Sequence, residues 1–420
     1  MRYVVIGNSA AGTSAAEAIR RVDPLGSITV VSDEELPAYS RSLTPNLIAG
    51  EVDKKELFYR PANFYQAHNI EPLLGRRAVS LDPAAGRITL DDGKELPYDR
   101  LLVATGAAAI RPPIKGIELA FTLRTLEDAQ AIMATEAEKA VVLGGGLVGL
   151  KVAQALRKRG LKVHVVVKSP RLLSRQLDAQ GGEILRRAVE EAGAELTFGQ
   201  DAREVLGGPD EVILEDGRRL EAEMVVVAKG VRPRAELLEA AGGKVGRGVV
   251  VDERMQTSIP HIYAAGDVAE VPDLVTGERI VSAVWPSAVA QGRVAGLNMA
   301  GQERRYAGAL MPLNAVDLFG VPIVSLGLTL PCDEGYEVLT RYHPERGLYR
   351  KLVLKGDVLV GAVLMGEIEK AGVLAALIRQ QVDVSQLKGR LIERGFGYAH
   401  FVKPMVPAPR PSPVSQCFHG

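Results

Sequence analysis

A chain of 420 residues is too long for one hydrophobic core and should divide into two or three domains. It is 47% hydrophobic and 24% charged, as globular proteins are, and no stretch approaches the roughly 20 apolar residues of a membrane span. Its 51 basic residues equal its 51 acidic ones, so no net field favours nucleic acid or an anionic membrane, and two cysteines, Cys332 and Cys417, exclude a disulfide scaffold or a metal–thiolate cluster. The chain opens directly on the apolar run Tyr3–Ile6, without a charged n-region or cleavage site, so a cytoplasmic enzyme without a metal site is expected.

In chain order, strand Tyr3–Ile6 leads into Gly7-Asn8-Ser9-Ala10-Ala11-Gly12, then helix Thr13–Arg21 and strand Ser27–Val31. A strand, glycine turn, helix and strand within about 30 residues is the dinucleotide-binding unit, in which backbone N–H groups and a helix N-terminus meet a diphosphate. The middle glycine of G-x-G-x-x-G is Ser9 here, so a purely structural turn stays open. Asp33 and Glu34 follow the second strand, where a carboxylate can accept hydrogen bonds from ribose; surface loop acids are the alternative. Strand Leu101–Ala104 then runs to Thr105-Gly106. Ala140–Leu143 enters Gly144-Gly145-Gly146-Leu147-Val148-Gly149, helix Leu150–Lys158 and strand Lys162–Val167, a second and complete copy. Met224–Val227 ends at Ala228-Lys229-Gly230, and Ile262–Ala265 at Gly266-Asp267.

This order predicts an α/β fold with two Rossmann-like dinucleotide-binding domains, residues 113–243 being inserted between residues 1–112 and 244–310 of the other. From Pro312 the pattern changes to strands Val321–Leu326, Tyr336–Tyr342, Leu348–Leu354 and Val358–Leu364 and a helix Glu367–Gln380, a small α+β domain over 311–402. A proline-rich tail, 403–420, ends the chain.

Four stretches in order, Val4–Ala16, Tyr98–Gly106, Gly144–Gly149 and Ile262–Asp267, resemble the pyridine nucleotide-disulfide oxidoreductases over most of residues 1–310. The resemblance implies FAD on the first turn, at Gly7, Ser9, Ala10, Ala11 and Gly12, with Ala104, Thr105, Gly106 and Gly266 beside it. Asp267 would bind the ribityl or phosphate end; alone it could be a helix N-cap. NAD(P)H is implied at Gly144, Gly146, Leu147, Val148 and Gly149, with Gly230-Val231-Arg232-Pro233 by the nicotinamide half, although Arg232 could equally fix a surface loop. The loop Pro37–Leu43 is similar to the one beside the flavin in rubredoxin reductases and the flavin domain of nitrite reductases. Together with Gly144–Lys151, it most resembles flavoproteins that accompany carbon monoxide dehydrogenases.

An acid ending the second strand usually selects NADH. Val167 stands there, followed by Lys168, with Arg171 and Arg175 close by, so NADPH is expected and NADH remains possible. A solvated basic loop is the alternative. Ser42 falls where single-cysteine relatives carry their thiol, and the first 331 residues contain no cysteine. Serine cannot form the sulfenate or mixed disulfide of that chemistry. The resemblance therefore implies electrons leaving the flavin directly, for an iron–sulfur or rubredoxin-like protein; an NAD(P)H oxidase or quinone reductase is the other reading. Arg41 matches a cation near flavin N5 whose usual glutamate partner is here Lys151. These are the candidate catalytic residues, two cations favouring a reduced, anionic flavin, unless Lys151 points elsewhere. The C-terminal domain would serve a homodimer interface or acceptor docking.

Overall fold

The computed structural model describes residues 1–207, 211–397 and 400. The first sheet is wholly parallel, in the order Ile262–Ala264, Arg100–Val103, Arg2–Ile6, Ser27–Ser32, Ile70–Leu74. Its central strand is apolar on both faces, as a parallel sheet covered on both sides demands, and Val4 and Val5 are buried. Strand Ile262–Ala264 comes from late in the chain yet pairs with Arg100–Val103, so the segment between must loop out and return. Helix Ala10–Val22 packs against helix Trp285–Met299 at unusually short range. A Cβ on Gly292 would stand 2.1 Å from Ala11 O, and one on Gly296 2.4 Å from Ala15 O. This contact fixes the start of the second helix, and with it Trp285, over the first glycine turn.

The second sheet has the order Glu195–Phe198, Lys162–Val167, Lys139–Leu143, Met224–Val227, again parallel. Helix Leu147–Lys158 covers one face. The other carries an antiparallel meander, Ala202–Val205, Glu211–Leu214 and Arg219–Glu221, whose Val205, Val212 and Leu214 pack on Val141, Leu143 and Val225. The meander strands are short and partly polar, and periodicity alone did not reveal them. Both helices after the glycine turns begin earlier than expected, at Ala10 and Leu147, because the turn itself is the first turn of helix.

The C-terminal sheet is antiparallel, in the order Leu313–Leu318, Val321–Gly327, Val358–Met365, Leu348–Lys355, Glu337–His343. Leu313–Leu318 is an addition to the expected strands; Asn314 and Asp317 break its apolar pattern, and residues 313–317 line a cavity. The helix spans Ala371–Gln380 rather than starting at Glu367, since Gly366 turns the chain at φ +80° and residues 367–370 are used in that turn. One face of the sheet packs on this helix, and the other, through Leu318, Ile323, Tyr349, Val363 and Met365, shares a core with the second sheet's domain. The architecture is thus α/β with two dinucleotide-binding units and a small α+β unit. The proline-rich tail and Cys417 lie outside the described residues.

Candidate active site

The first glycine turn begins where strand Arg2–Ile6 ends. Gly7 has φ +121°, and a Cβ there would lie 2.1 Å from Ala104 O, so only glycine fits. A Cβ on Gly12 would lie 1.8 Å from Gly7 O, so the helix can start directly against the strand. Ser9 between them is the N-cap residue at φ −120°, a backbone conformation open to any side chain, and its hydroxyl makes no cap bond. Serine therefore replaces the middle glycine without strain. No acidic residue occupies the first helical turn, whose N–H groups and dipole remain open to an anion.

A cavity of about 1670 Å³ spreads from this turn, beyond the roughly 300–1,000 Å³ of ordinary ligand pockets, so a dinucleotide and a second reactant fit together. Gly7, Ser9, Ala10 and Ala11 line it, with Asp33, Ala104, Thr105, Gly106, Gly266 and Asp267; Gly12 lies behind the turn. Asp33 pairs with Arg234 at 2.9 Å. Asp267 accepts from the Arg124 guanidinium at 2.6 Å, and Arg124 Nε donates to Ala107 O at 3.1 Å. Glu34 does not line the cavity: its carboxylate pairs with Arg41 and accepts from the Tyr39 hydroxyl at 2.6 Å. Burial raises the Tyr39 phenol above its ordinary value, so it stays protonated as that donor. Arg41 also donates to Arg124 O at 3.1 Å, so one network runs from Glu34 through Arg41 and Arg124 to Asp267.

The second turn repeats the geometry. Gly144 has φ +132°, with a Cβ there 2.4 Å from Ala228 O, and a Cβ on Gly149 would lie 2.0 Å from Gly144 O. Gly146, the N-cap residue of helix Leu147–Lys158, faces open space instead, with no atom within 4 Å of a Cβ. That is the place where a diphosphate can approach the backbone. Leu147, Val148 and Lys151 line the large cavity together with Arg41, while Gly144, Gly146, Gly149 and Gly230 do not. Val148 is 46% exposed, an apolar side chain left bare beside an open turn. Lys151 makes no hydrogen bond or ion pair among the described residues. Arg41 thus has its carboxylate partner in Glu34, from its own loop, and not in residue 151.

Lys168 and Arg171 are placed differently from the rest. The Lys168 ammonium lies 3.5 Å from Glu215 and 3.8 Å from Asp201. Arg171 Nε donates to Leu177 O at 2.7 Å, and its stem packs on Gly182. Neither lines the cavity. Ser42 does, its hydroxyl sharing a hydrogen bond with Ser40 at 2.9 Å.

Sequence reasoning missed Arg124 and Trp285. Trp285 lines the cavity and meets Tyr59 edge-on at 4.9 Å, and the Tyr59 hydroxyl shares a hydrogen bond with Thr13 at 2.9 Å. Burial pushes the Tyr59 phenol up to about 12. The available clues were that Trp285 is the single tryptophan and precedes a proline suited to a first helical turn. Arg124 stands next to the Thr125–Asp128 capping box. Asn314, Asp317 and Arg379 bring the C-terminal unit to the far lobe of the cavity.

Two diphosphate cradles, one with its helix start lining a cavity that the other turn also lines, define a dinucleotide-dependent redox enzyme. The chain belongs to the pyridine nucleotide-disulphide oxidoreductase family, matched over residues 1–292, with a rubredoxin NAD+ reductase C-terminal domain over residues 312–382. It is an FAD- and NAD(P)H-dependent oxidoreductase, and the residues of both turns fit those cofactors. It is 35% identical over 404 residues to the NADH-dependent phenylglyoxylate dehydrogenase subunit epsilon of Aromatoleum evansii, covering 93% of this chain and 94% of that one. To the rubredoxin-NAD(+) reductase of Pseudomonas putida it is 32% identical over 309 residues, 72% of this chain and 80% of that one. Among solved structures, the covalent putidaredoxin reductase–putidaredoxin complex superposes with a TM-score of 0.84 at 27% identity, covering 91% of this chain and 94% of that chain.

Proposed function

We propose that this chain passes electrons from NAD(P)H through bound FAD to an iron–sulfur or rubredoxin-like protein, without a redox-active thiol. The observation that carries this reading is the large cavity: the first diphosphate cradle, the start of the second helix, Arg41 and Lys151 all face it, and among the described residues no cysteine lines it. FAD, when bound, supplies the ability to accept a hydride and release electrons one at a time.

The chain's own residues divide the remaining work. The Ser9 and Gly146 helix starts hold the two diphosphates, and Asp33 stands at the ribose end of the first. Arg124 fixes Asp267 at the far end of the same cofactor. Arg41, held by Glu34, and Lys151, which makes no hydrogen bond or close ion pair among the described residues, supply positive charge where negative charge develops on reduction. Leu147, Val148 and Trp285 exclude water from the reacting faces. We divide the chain into 1–112 with 244–310, 113–243 and 311–402. The C-terminal unit is the acceptor-docking or homodimer face; Glu337–His343 is an edge strand with Val338 42% exposed, a surface suited to pairing. Because the reductant is the cell's NAD(P)H pool, the proposed location is the cytoplasm.

The test is anaerobic stopped-flow reduction by NADH and NADPH, followed by mixing with rubredoxin or a [2Fe–2S] ferredoxin. Flavin bleaching by the nucleotide, then reoxidation by the protein acceptor faster than by oxygen or quinone, is expected. Faster turnover with oxygen or quinone would instead make the protein an oxidase or quinone reductase.

A further inference from the structure

Residues 33–40, which lead to Arg41, form neither helix nor strand, so other parts of the fold must fix their course. Glu34 and Arg124 O hold the Arg41 guanidinium itself. The backbone that delivers it is fastened elsewhere. Ser40 N donates to Leu57 O at 2.8 Å, and the Tyr39 hydroxyl accepts from Leu126 N at 2.9 Å. The remaining fastening comes from the first glycine turn. Asn8, between Gly7 and Ser9, lines the cavity, and its Nδ2 donates to Leu36 O at 3.2 Å.

Asn8 is in turn held by Tyr65. The Tyr65 hydroxyl donates to Asn8 Oδ1 at 2.9 Å and accepts from Ala38 N at 3.2 Å, so one oxygen touches both the glycine turn and the loop. Burial raises the Tyr65 phenol above its ordinary value, so it stays protonated and able to donate. That donation orients the Asn8 amide, with its oxygen toward Tyr65 and its NH2 toward Leu36 O. Ala38 is 2% exposed, so water is a poor replacement partner for its N–H. Tyr65 does not line the cavity, and any effect it has on the reaction must pass through the residues it holds. Asn8 belongs to the backbone that cradles the diphosphate, and Arg41 follows Ala38 closely in the chain. We propose that Tyr65, through Asn8 and Ala38, is a positioning residue for Arg41. It ties the loop to the first cradle, so that the guanidinium keeps its place where negative charge develops on the reduced flavin. The proposal rests on the reading that Arg41 stands beside the flavin.

The test is a double-mutant cycle on the FAD-loaded protein, with the flavin midpoint potential read by anaerobic redox titration. Arg41→Met should lower the potential, because loss of the cation disfavours the reduced flavin. Tyr65→Phe should shift it in the same direction, by the equivalent of about a threefold change in the reduction equilibrium, the weight of one neutral hydrogen bond. In the Arg41→Met background, Tyr65→Phe should produce no further shift, since the residue it positions is gone. A merely structural role would lower the melting temperature and leave the potential where it was. An unmoved potential in Tyr65→Phe overturns the proposal, as does an equal shift with and without Arg41. If Tyr65→Phe does not fold, Asn8→Ala, which removes the link to Leu36 O, enters the cycle with the same expectations. An unmoved potential in Arg41→Met overturns the underlying reading of Arg41, a result distinct from the other two.

Discussion

Gly7 and Gly146 occupy related turns but answer to different constraints. Gly7 combines a positive φ with a neighbouring carbonyl 2.1 Å from where a Cβ would be. Gly7→Ala should therefore cost about 2–5 kcal/mol and release the flavin, seen as a lower melting temperature and a lower flavin-to-protein ratio. Gly146 faces open space. Gly146→Ser should leave stability within about 0.5 kcal/mol, as Ser9 shows that the position tolerates a side chain, while weakening pyridine nucleotide binding in a titration. At Lys151 the argument is electrostatic. Replacing the ammonium with the carboxylate of Lys151→Glu would place a negative charge in the cavity that Arg41 also lines, lowering the flavin midpoint potential and slowing reduction by NAD(P)H. A potentiometric titration that finds the potential unmoved would remove Lys151 from the electrostatic role. The glycines of both turns were legible in the sequence because a diphosphate cradle is built from contiguous backbone. Arg124 was not, and Glu34 was named for the ribose and not as the partner of Arg41, because such partners are chosen by folding.

Among the elements, the joint between the C-terminal sheet and helix Ala179–Glu191 depends on one carboxylate. Asp178 caps that helix by accepting from Gly181 N at 3.2 Å, and it also accepts from the Tyr349 hydroxyl at 2.5 Å and Lys351 Nζ at 2.9 Å. Burial by itself would raise the Asp178 carboxyl, but the hydrogen bonds from Tyr349, Lys351 and Gly181 outweigh it and hold it below 3.8. A depressed carboxyl stabilises above its unfolded value and loses that contribution as pH falls through the lower folded one. The joint should therefore loosen only below the ordinary carboxylate range. Asp178→Asn keeps the cap but strands Lys351, which is buried, without its counter-ion. A loss of about 3 kcal/mol is expected in denaturant unfolding, and Asp178→Asn with Lys351→Met should recover part of it. The sequence pattern showed most strands of the C-terminal sheet, since strands such as Val321–Gly327 and Val358–Met365 are near-continuous apolar runs, buried on both faces. It missed Leu313–Leu318, where Asn314 and Asp317 break the apolar pattern, and the short meander strands, whose apolar faces acquire meaning only against the second sheet.

At the scale of the whole molecule, no cysteine among the described residues lines the cavity, which supports the proposed electron path without a thiol. Cys332 is the free cysteine among the described residues and is exposed, away from the cavity lining. Alkylating the NAD(P)H-reduced enzyme with iodoacetamide should leave electron transfer to a protein acceptor unchanged; progressive inactivation would point to a working thiol. By itself the sequence determined two diphosphate cradles, a flavin and pyridine nucleotide chemistry, and the absence of cysteine from the first 331 residues. Each of these depends on residues adjacent in the chain, or on a residue type being missing. Only the tertiary structure decided that Glu34 holds Arg41, that Arg124 holds Asp267, that the C-terminal unit reaches the cavity, and that Asp201 pairs with Lys229. Those contacts join segments far apart in the chain, and the packing of sheets and helices sets which charges meet.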